Sequence, residues 1–189
     1  MYKSGRPLLS SIRRKVSNPG LGFSFVELMI CLSIFVILGL YSASAYNQQI
    51  NAHRVDRTAE RLAHHLALAR LEAVRRGYPV TLCPGGTSEG CATGKGWSAG
   101  WVAFGDPNQN YILDPDERPI LAGAGSPGVT IGWRRPDRLL FKPDGTVWPN
   151  GHFRVCDLTA SNRRAVIVHL TGRTRLSALA PGKKPVRCA

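Results

Sequence analysis

The sequence is short of acid. Twelve Asp and Glu stand against 25 Lys and Arg in 189 residues, a net charge of +13. A chain this basic wants an acidic partner: nucleic acid, an anionic membrane face or an acidic protein. It also lacks the spacings that carry catalysis. There is no GxSxG, P-loop, HExxH or paired-carboxylate constellation, and His152 and His169 have no acid or nucleophile partner in the pattern. Neither an enzyme nor a cofactor is expected. The C-x2-C spacing of a zinc site is missing, so the cysteines promise no metal centre. Repeats and low-complexity linkers are absent, and the length suits one domain, or one domain with an appendage. Hydrophobic residues, at 43%, exclude wholesale disorder.

Acid is wholly absent from residues 1–22, which carry five basic residues, +5. Residues 23–133 are near balance at −1, and residues 134–189 carry +9. The two basic blocks need separate explanations. Between Leu28 and Tyr46 there is no charge at all over nineteen residues. A helix of that length spans about 28 Å, close to a bilayer's hydrocarbon core. The basic stretch before it belongs on the cytoplasmic side. A cleaved secretory signal is the rival, with small residues at 42–45 as its cleavage site. The apolar run is longer than a signal core, and Glu27 sits in its first turn. An acid alone in lipid costs about 2.5–3.5 kcal/mol, so it needs a partner.

Gly22-Phe23-Ser24-Phe25-Val26-Glu27-Leu28, followed by the apolar run, resembles the class III signal of type IV pilins and pseudopilins. The resemblance implies a leader at 1–22, cut after Gly22 by a prepilin peptidase on the cytoplasmic side. Phe23 is then the mature terminus and is N-methylated. Glu27, at the fifth mature position, pairs with the terminal amine of a neighbouring subunit. The physical chemistry agrees: the helix stays as a single-pass inner-membrane anchor, and Glu27 gains an ammonium partner.

No proline interrupts residues 47–76, and Ile50, Val55, Ala59, Leu62, Ala63, Leu66, Ala69 and Ala73 follow helical spacing. Arg57, Glu60, Arg61, Arg70 and Glu72 can occupy the opposite face. Gly77 and Pro79 predict the stop. One helix is therefore expected over 23–76, membrane-embedded to about residue 46, its second half laid on a head at 77–189. His53, His64 and His65 read as surface or interface residues. The head reads as short strands: Val80–Cys83, Trp97–Phe104, Val129–Trp133, Leu139–Phe141, Thr146–Trp148, Phe153–Cys156, Ala165–Leu170 and Thr174–Ser177. Pro143-Asp144-Gly145 and Thr171-Gly172 are turns. The class is α+β, an antiparallel sheet on a long helix. Trp97, Gly100, Trp101, Phe104, Asp106 and Asn108, with Phe141–Gly145 and the later Gly-Arg-x-Arg, resemble the GspH/FimT branch of minor pilins, including FimU-like members. That resemblance implies the type IV pilin fold, other pilin subunits as partners, a periplasmic head, and assembly into a pilus or a type II secretion pseudopilus.

Cys31 lies in the apolar helix and reads as a packing residue. Cys83, Cys91, Cys156 and Cys188 follow the anchor, so they face a compartment where disulfides persist. They allow three connectivities. Sequence proximity pairs Cys83 with Cys91 and leaves Cys156 to tie back the tail through Cys188. The acidic loop from Asp106 to Glu117 carries oxygen ligands at EF-hand positions 1, 3, 5, 9 and 12. Position 6 is Tyr111 where glycine is wanted, and two prolines interrupt, so it reads as a surface turn and calcium stays an open question.

Gly172-Arg173-Thr174-Arg175 opens the last strand. Residues i and i+2 share a face, so Arg173 and Arg175 point the same way, about 6.5–7 Å apart. The guanidinium fork grips phosphate oxygens in two places. Gly172 is expected to let the backbone approach. Arg163 and Arg164 are expected in the preceding loop, and Lys183, Lys184 and Arg187 in the tail. This is a positive ridge without an aromatic platform, suited to backbone contact rather than base reading. Resemblance to FimT-like members implies DNA binding in natural transformation for Gly172, Arg173 and Arg175. The other reading is a structural FimU- or GspH-like subunit that primes a filament and docks a neighbour with its basic face.

Overall fold

The computed structural model describes residues 22–188 except 89, 93, 95 and 135, and for 40–47 the backbone alone. Helix α1 runs Phe25–Arg76. It stops for the expected reason: Gly77 takes φ +74 and its N–H donates to Ala73 O at 3.1 Å. The chain divides into two units that meet between Ala43 and Ser44. In the first, apolar side chains from Phe25 to Leu38 are exposed, and Glu27 stands exposed in the first helical turn. Among the described residues no helix is long and apolar enough to cross a membrane. The span expected at 28–46 runs into positions 40–47, whose side chains lie outside the described residues. Positions 1–21 of the expected leader lie outside them too.

In the second unit one helical stripe carries the core. Val55, Ala59, Leu62, Leu66, Ala69 and Ala73 are fully buried. Thr58 joins them because its hydroxyl is satisfied twice, donating to Arg54 O at 2.7 Å and pairing with Ser126 Oγ at 2.9 Å. Each large side chain in the stripe contributes about 1.5–3 kcal/mol by burial. Arg61 and Arg70 do not occupy the opposite face. Arg61 Nη2 donates to Ser126 Oγ at 3.0 Å and Arg70 Nε to Gly145 O at 2.9 Å. Both are partly buried beside the stripe and reach across to the head.

The strands are β1 (Val80–Gly86), β2 (Gly90–Cys91), β3 (Gly100–Gly105), β4 (Pro119–Ala124), β5 (Val129–Gly132), β6 (Leu139–Phe141), β7 (Val147–Trp148), β8 (Gly151–Asp157), β9 (Arg163–Val168), β10 (Thr174–Ser177), β11 (Leu179–Ala180) and β12 (Lys184–Pro185). The first sheet orders β4-β3-β1-β6-β7 with β2 on β1; the second orders β10-β9-β8-β5; β11 and β12 form a ribbon. Every pairing is antiparallel. Trp97–Ala99 is a 3-10 turn rather than the start of a strand. The strand pattern misses β2, β4, β11 and β12. These are short or glycine- and proline-bearing segments whose pairing comes from neighbours rather than from alternation.

Alternation gives each sheet two faces. Val80, Leu82, Phe141 and Val147 of the first sheet and Phe153, Val155, Val166 and Val168 of the second join the helical stripe in one core. Trp101, fully buried, donates its Nε1–H to His65 Nδ1 at 2.9 Å. An indole N–H only donates, so Nδ1 must be unprotonated and the imidazole proton sits on Nε2. Burial, then the charges of His64 and Arg61, holds His65 below the ordinary imidazole value.

The outer faces are covered in parts. On the first, Cys83, Val102 and Phe104 pack with Cys91 and Leu113. On the second, Cys156, Ala165 and Ile167 pack with Val186, Ala180 and Cys188. A disulfide staples each cover: Cys83–Cys91 with Cα atoms 5.4 Å apart, and Cys156–Cys188 at 6.1 Å. In the first cover the Asp106 carboxylate turns inward. It accepts from Thr81 Oγ1 at 2.6 Å and from the N–H groups of Asn110 and Tyr111 at 3.0 and 3.1 Å. Asp114 accepts from the side-chain amides of Asn108 and Asn110, both at 2.9 Å. These oxygens serve the loop's own donors and Thr81 of β1. Among the described residues no group of His, Cys, Asp and Glu is arranged to hold a metal ion.

Candidate nucleic-acid interface

The register of the second sheet fixes where its cations point. Arg175 pairs with Ile167, and Ile167 with His152; Ser177 pairs with Ala165, and Ala165 with Arg154. Directly opposed residues share a face. Ile167 and Ala165 lie under the tail, so Arg175, His152 and Arg154 are on the outer face. Arg173 is opposite His169, whose N–H donates to Arg173 O at 2.9 Å, and has the same parity as Arg175. Both arginines are exposed, and their side chains make no hydrogen bond or ion pair among the described residues. With strands about 4.8 Å apart, Arg175 lies about 10 Å across the sheet from His152.

Arg163 and Arg164 are not in the preceding loop. They open β9, because Asp157 closes the turn before it by accepting the N–H groups of Ser161 and Asn162 at 2.9 and 3.3 Å. Adjacent on a strand, the two diverge. Arg163 faces outward and its Nη1 donates to Val186 O at 3.2 Å, tying down the tail. Arg164 faces the helix and forms a two-pronged pair with Asp56, at 2.8 and 3.1 Å. It is spoken for, and it drops out of the outer row.

Gly172 also has a different role from the one expected. It is buried at φ +71, and a Cβ there would stand 2.2 Å from Gly145 O and 2.7 Å from Arg70 Cδ. Its missing side chain admits the neighbouring turn and the Arg70 stem, not an outside ligand. The two turns marked in the sequence, at 143–145 and 171–172, thus meet around one helical arginine. The hairpin tip is further fixed by Val147 N–H donating to Leu170 O at 3.0 Å. Gly172 therefore packs the turn that leads into Arg173.

The tail completes the face. Lys183, Lys184 and Arg187 are exposed, while Val186 is fully buried and Cys188 is bonded to Cys156. Between tail and sheet is a cleft of about 560 Å³ whose cations are Arg154, Lys184 and Arg187, lined also by His152, Pro181 and Pro185. Burial, then the Arg154 charge, pushes the His152 imidazole down, so it is neutral at pH 7. His152 and Arg154 escaped the sequence reading. The strict alternation of His152, Arg154 and Cys156 with Phe153 and Val155 is the signal that finds them.

The family model for the Type II transport protein GspH matches residues 58–172, more than half of the chain. The chain belongs to the GspH family. Its fold is that of two crystal structures of the type IV minor pilin FimU from Pseudomonas aeruginosa. One is 22% identical with a TM-score of 0.52, covering 68% of this chain and 98% of that one. The other is 20% identical with a TM-score of 0.52, covering 73% and 98%. The minor pseudopilin EpsH of the Vibrio cholerae Type 2 Secretion System is 16% identical over 70% of this chain, with a TM-score of 0.43. No curated protein sequence matches the chain. It is thus a GspH-family protein with the type IV pilin fold of long helix and antiparallel sheet. The match ends at Gly172, so Arg173, Arg175 and the whole stapled tail lie beyond it.

Proposed function

We propose that this minor pilin binds DNA on the outer face of its second sheet and serves DNA uptake in natural transformation. The observation that carries the reading is the pair Arg173 and Arg175, exposed on one face, free of internal partners, and continuous in register with the cationic cleft. Guanidinium forks suit phosphate oxygens, and no acid interrupts residues 158–188. Phosphate contact positions without specifying, so binding is insensitive to sequence. Arg163, Lys183, Lys184 and Arg187 add charge around the pair.

The remaining parts follow the pilin pattern. Residues 1–22 are a leader removed by a prepilin peptidase after Gly22, Phe23 becomes an N-methylated terminus, and Glu27 pairs with a neighbouring subunit's amine. The exposed apolar stretch Phe25–Leu38 anchors the protein in the inner membrane and then packs in a filament, with the head in the periplasm. The role is binding and assembly, not catalysis.

The test is a titration of the full-length protein, in a non-ionic detergent, against labelled duplex over a salt series. If about four phosphates are neutralised, log K falls with log[salt] at a slope near −3.6. R173A/R175A weakens all sequences alike and flattens the slope by roughly 2. Lys at both positions restores only part, because it keeps the charge and loses the fork. No binding at low salt leaves the structural reading, a subunit that primes filament assembly in a pilus or a type II secretion pseudopilus.

A further inference from the structure

Beside the Arg173 tip, on the outer face of the first sheet, lies a groove of about 310 Å³ lined by Tyr111, Leu140, Lys142, Trp148 and Leu170 among others. Trp148 is the exception among four tryptophans: Trp97, Trp101 and Trp133 are buried, and Trp148 is 52% exposed. Its strand partner is Leu140, which is buried and lines the same groove. Tyr111 is held on the other side by Arg138, whose Cζ sits 4.1 Å from the ring centroid. The backbone there is strained: Gln109 and Tyr111 take φ +58 and +63, a conformation that a bulky residue rarely adopts. The buried Asp106 carboxylate imposes it by gathering the Asn110 and Tyr111 amides. Strain held in place by a buried anchor is the mark of a preformed site.

The groove is joined to the cation row. Leu170, in its wall, belongs to the same turn as Arg173, and Val147 N–H pins that turn to the Trp148 strand. An aromatic and apolar surface therefore lies next to phosphate-gripping arginines, with Lys142 at its rim. The occupant that matches both halves is an unpaired nucleobase on a phosphate backbone. Stacking needs a free π-face, which a base in a duplex does not offer and a base in a single strand does. Resting on the DNA-binding reading above, we propose that Trp148 and Tyr111 form a base-stacking site, so that the protein prefers single-stranded over duplex DNA and the strand runs from this groove along Arg173 and Arg175. Folding supplies the aromatic platform from two segments that the sequence pattern had left unconnected.

The experiment uses the full-length protein in non-ionic detergent, with oligothymidylate and a duplex of the same length as probes. Single strand is expected to bind more tightly than duplex and to quench tryptophan emission, since only Trp148 is open to contact. W148A is expected to lose about tenfold in single-strand affinity, abolish the quench, and leave duplex affinity within about twofold. W148F, which keeps a stacking ring, retains most of the affinity. Duplex binding that depends on Arg173 and Arg175, with no quench and no effect of W148A on single strands, overturns this inference alone. Failure to bind either probe overturns the DNA-binding reading and this one with it. The wild-type quench reads the site directly, so a variant that misfolds does not remove the test.

Discussion

The two sheets share one core and differ in what covers their outer faces. Both covers are stapled by a disulfide over a small apolar cluster. The first includes the loop with Asp106, Asp114, Asp116 and Glu117; the second is the tail with Lys183, Lys184 and Arg187. In the first, Asp106, Asp114 and one Glu117 oxygen accept from the loop's own N–H and amide groups, which fixes its shape. In the second, the cations have no such internal use and are presented outward. Charges consumed inside a cover fix its shape, whereas charges without internal partners are left for an outside one, a difference that composition does not register.

The largest effect should come from cutting the second staple. Its ends are 32 residues apart, against 8 in the first. Loop-closure entropy gives about 3.7 kcal/mol for the long loop and about 2.5 kcal/mol for the short one. Denaturant titration of C156A/C188A and C83A/C91A checks the order. The long-loop variant should also lose DNA affinity, while the short-loop variant keeps it; equal losses of affinity would erase the distinction between the covers.

Gly172→Ala comes next. A Cβ 2.2 Å from a carbonyl oxygen and a left-handed backbone together cost about 2–3 kcal/mol. The loss should appear in thermal unfolding, with Arg173 displaced and affinity reduced as a consequence. A variant of wild-type stability with reduced affinity would return Gly172 to direct contact with the ligand.

Arg164→Ala separates neighbours in sequence. The Arg164–Asp56 pair is partly exposed, at 39% and 35%, so its loss costs about 0.5–1 kcal/mol after solvent screening. DNA affinity should hardly change, whereas Arg175→Ala should show the reverse pattern. A large loss of affinity in Arg164→Ala would put it back in the outer row.

The smallest effect contrasts two histidines. Both His65 and His152 are pushed below the ordinary value of 6.5. Above that pH, folded and unfolded His65 are both neutral and stability is level. As pH falls below 6.5 the unfolded chain takes up the proton first, so stability declines until the folded imidazole also protonates. His65→Gln should flatten this acid limb in pH-dependent unfolding. Protonating His152 instead adds a cation to the cleft, so DNA affinity should rise toward acid pH, and His152→Ala should remove the rise.

Much of this was legible in the sequence, for local reasons. Helical periodicity, Gly77 and Pro79 set α1 and its end. Alternation and turn residues set most central strands, and i, i+2 parity puts Arg173 and Arg175 on one face. These are properties of a few consecutive residues, governed by side-chain direction and backbone preference. What only the tertiary structure decided depends on residues far apart. Arg70 reaches 75 residues to Gly145 and makes Gly172 a packing residue. Asp56 claims Arg164 across 108 positions. The pairing of β8 with β9 brings His152 and Arg154 to the face of Arg175, and the docking of the Leu170 turn on β7 sets Trp148 beside that turn. Strand order, register and the partner of each charge follow from which surfaces bury best together. That is a property of the whole packed chain, so no local window contains it.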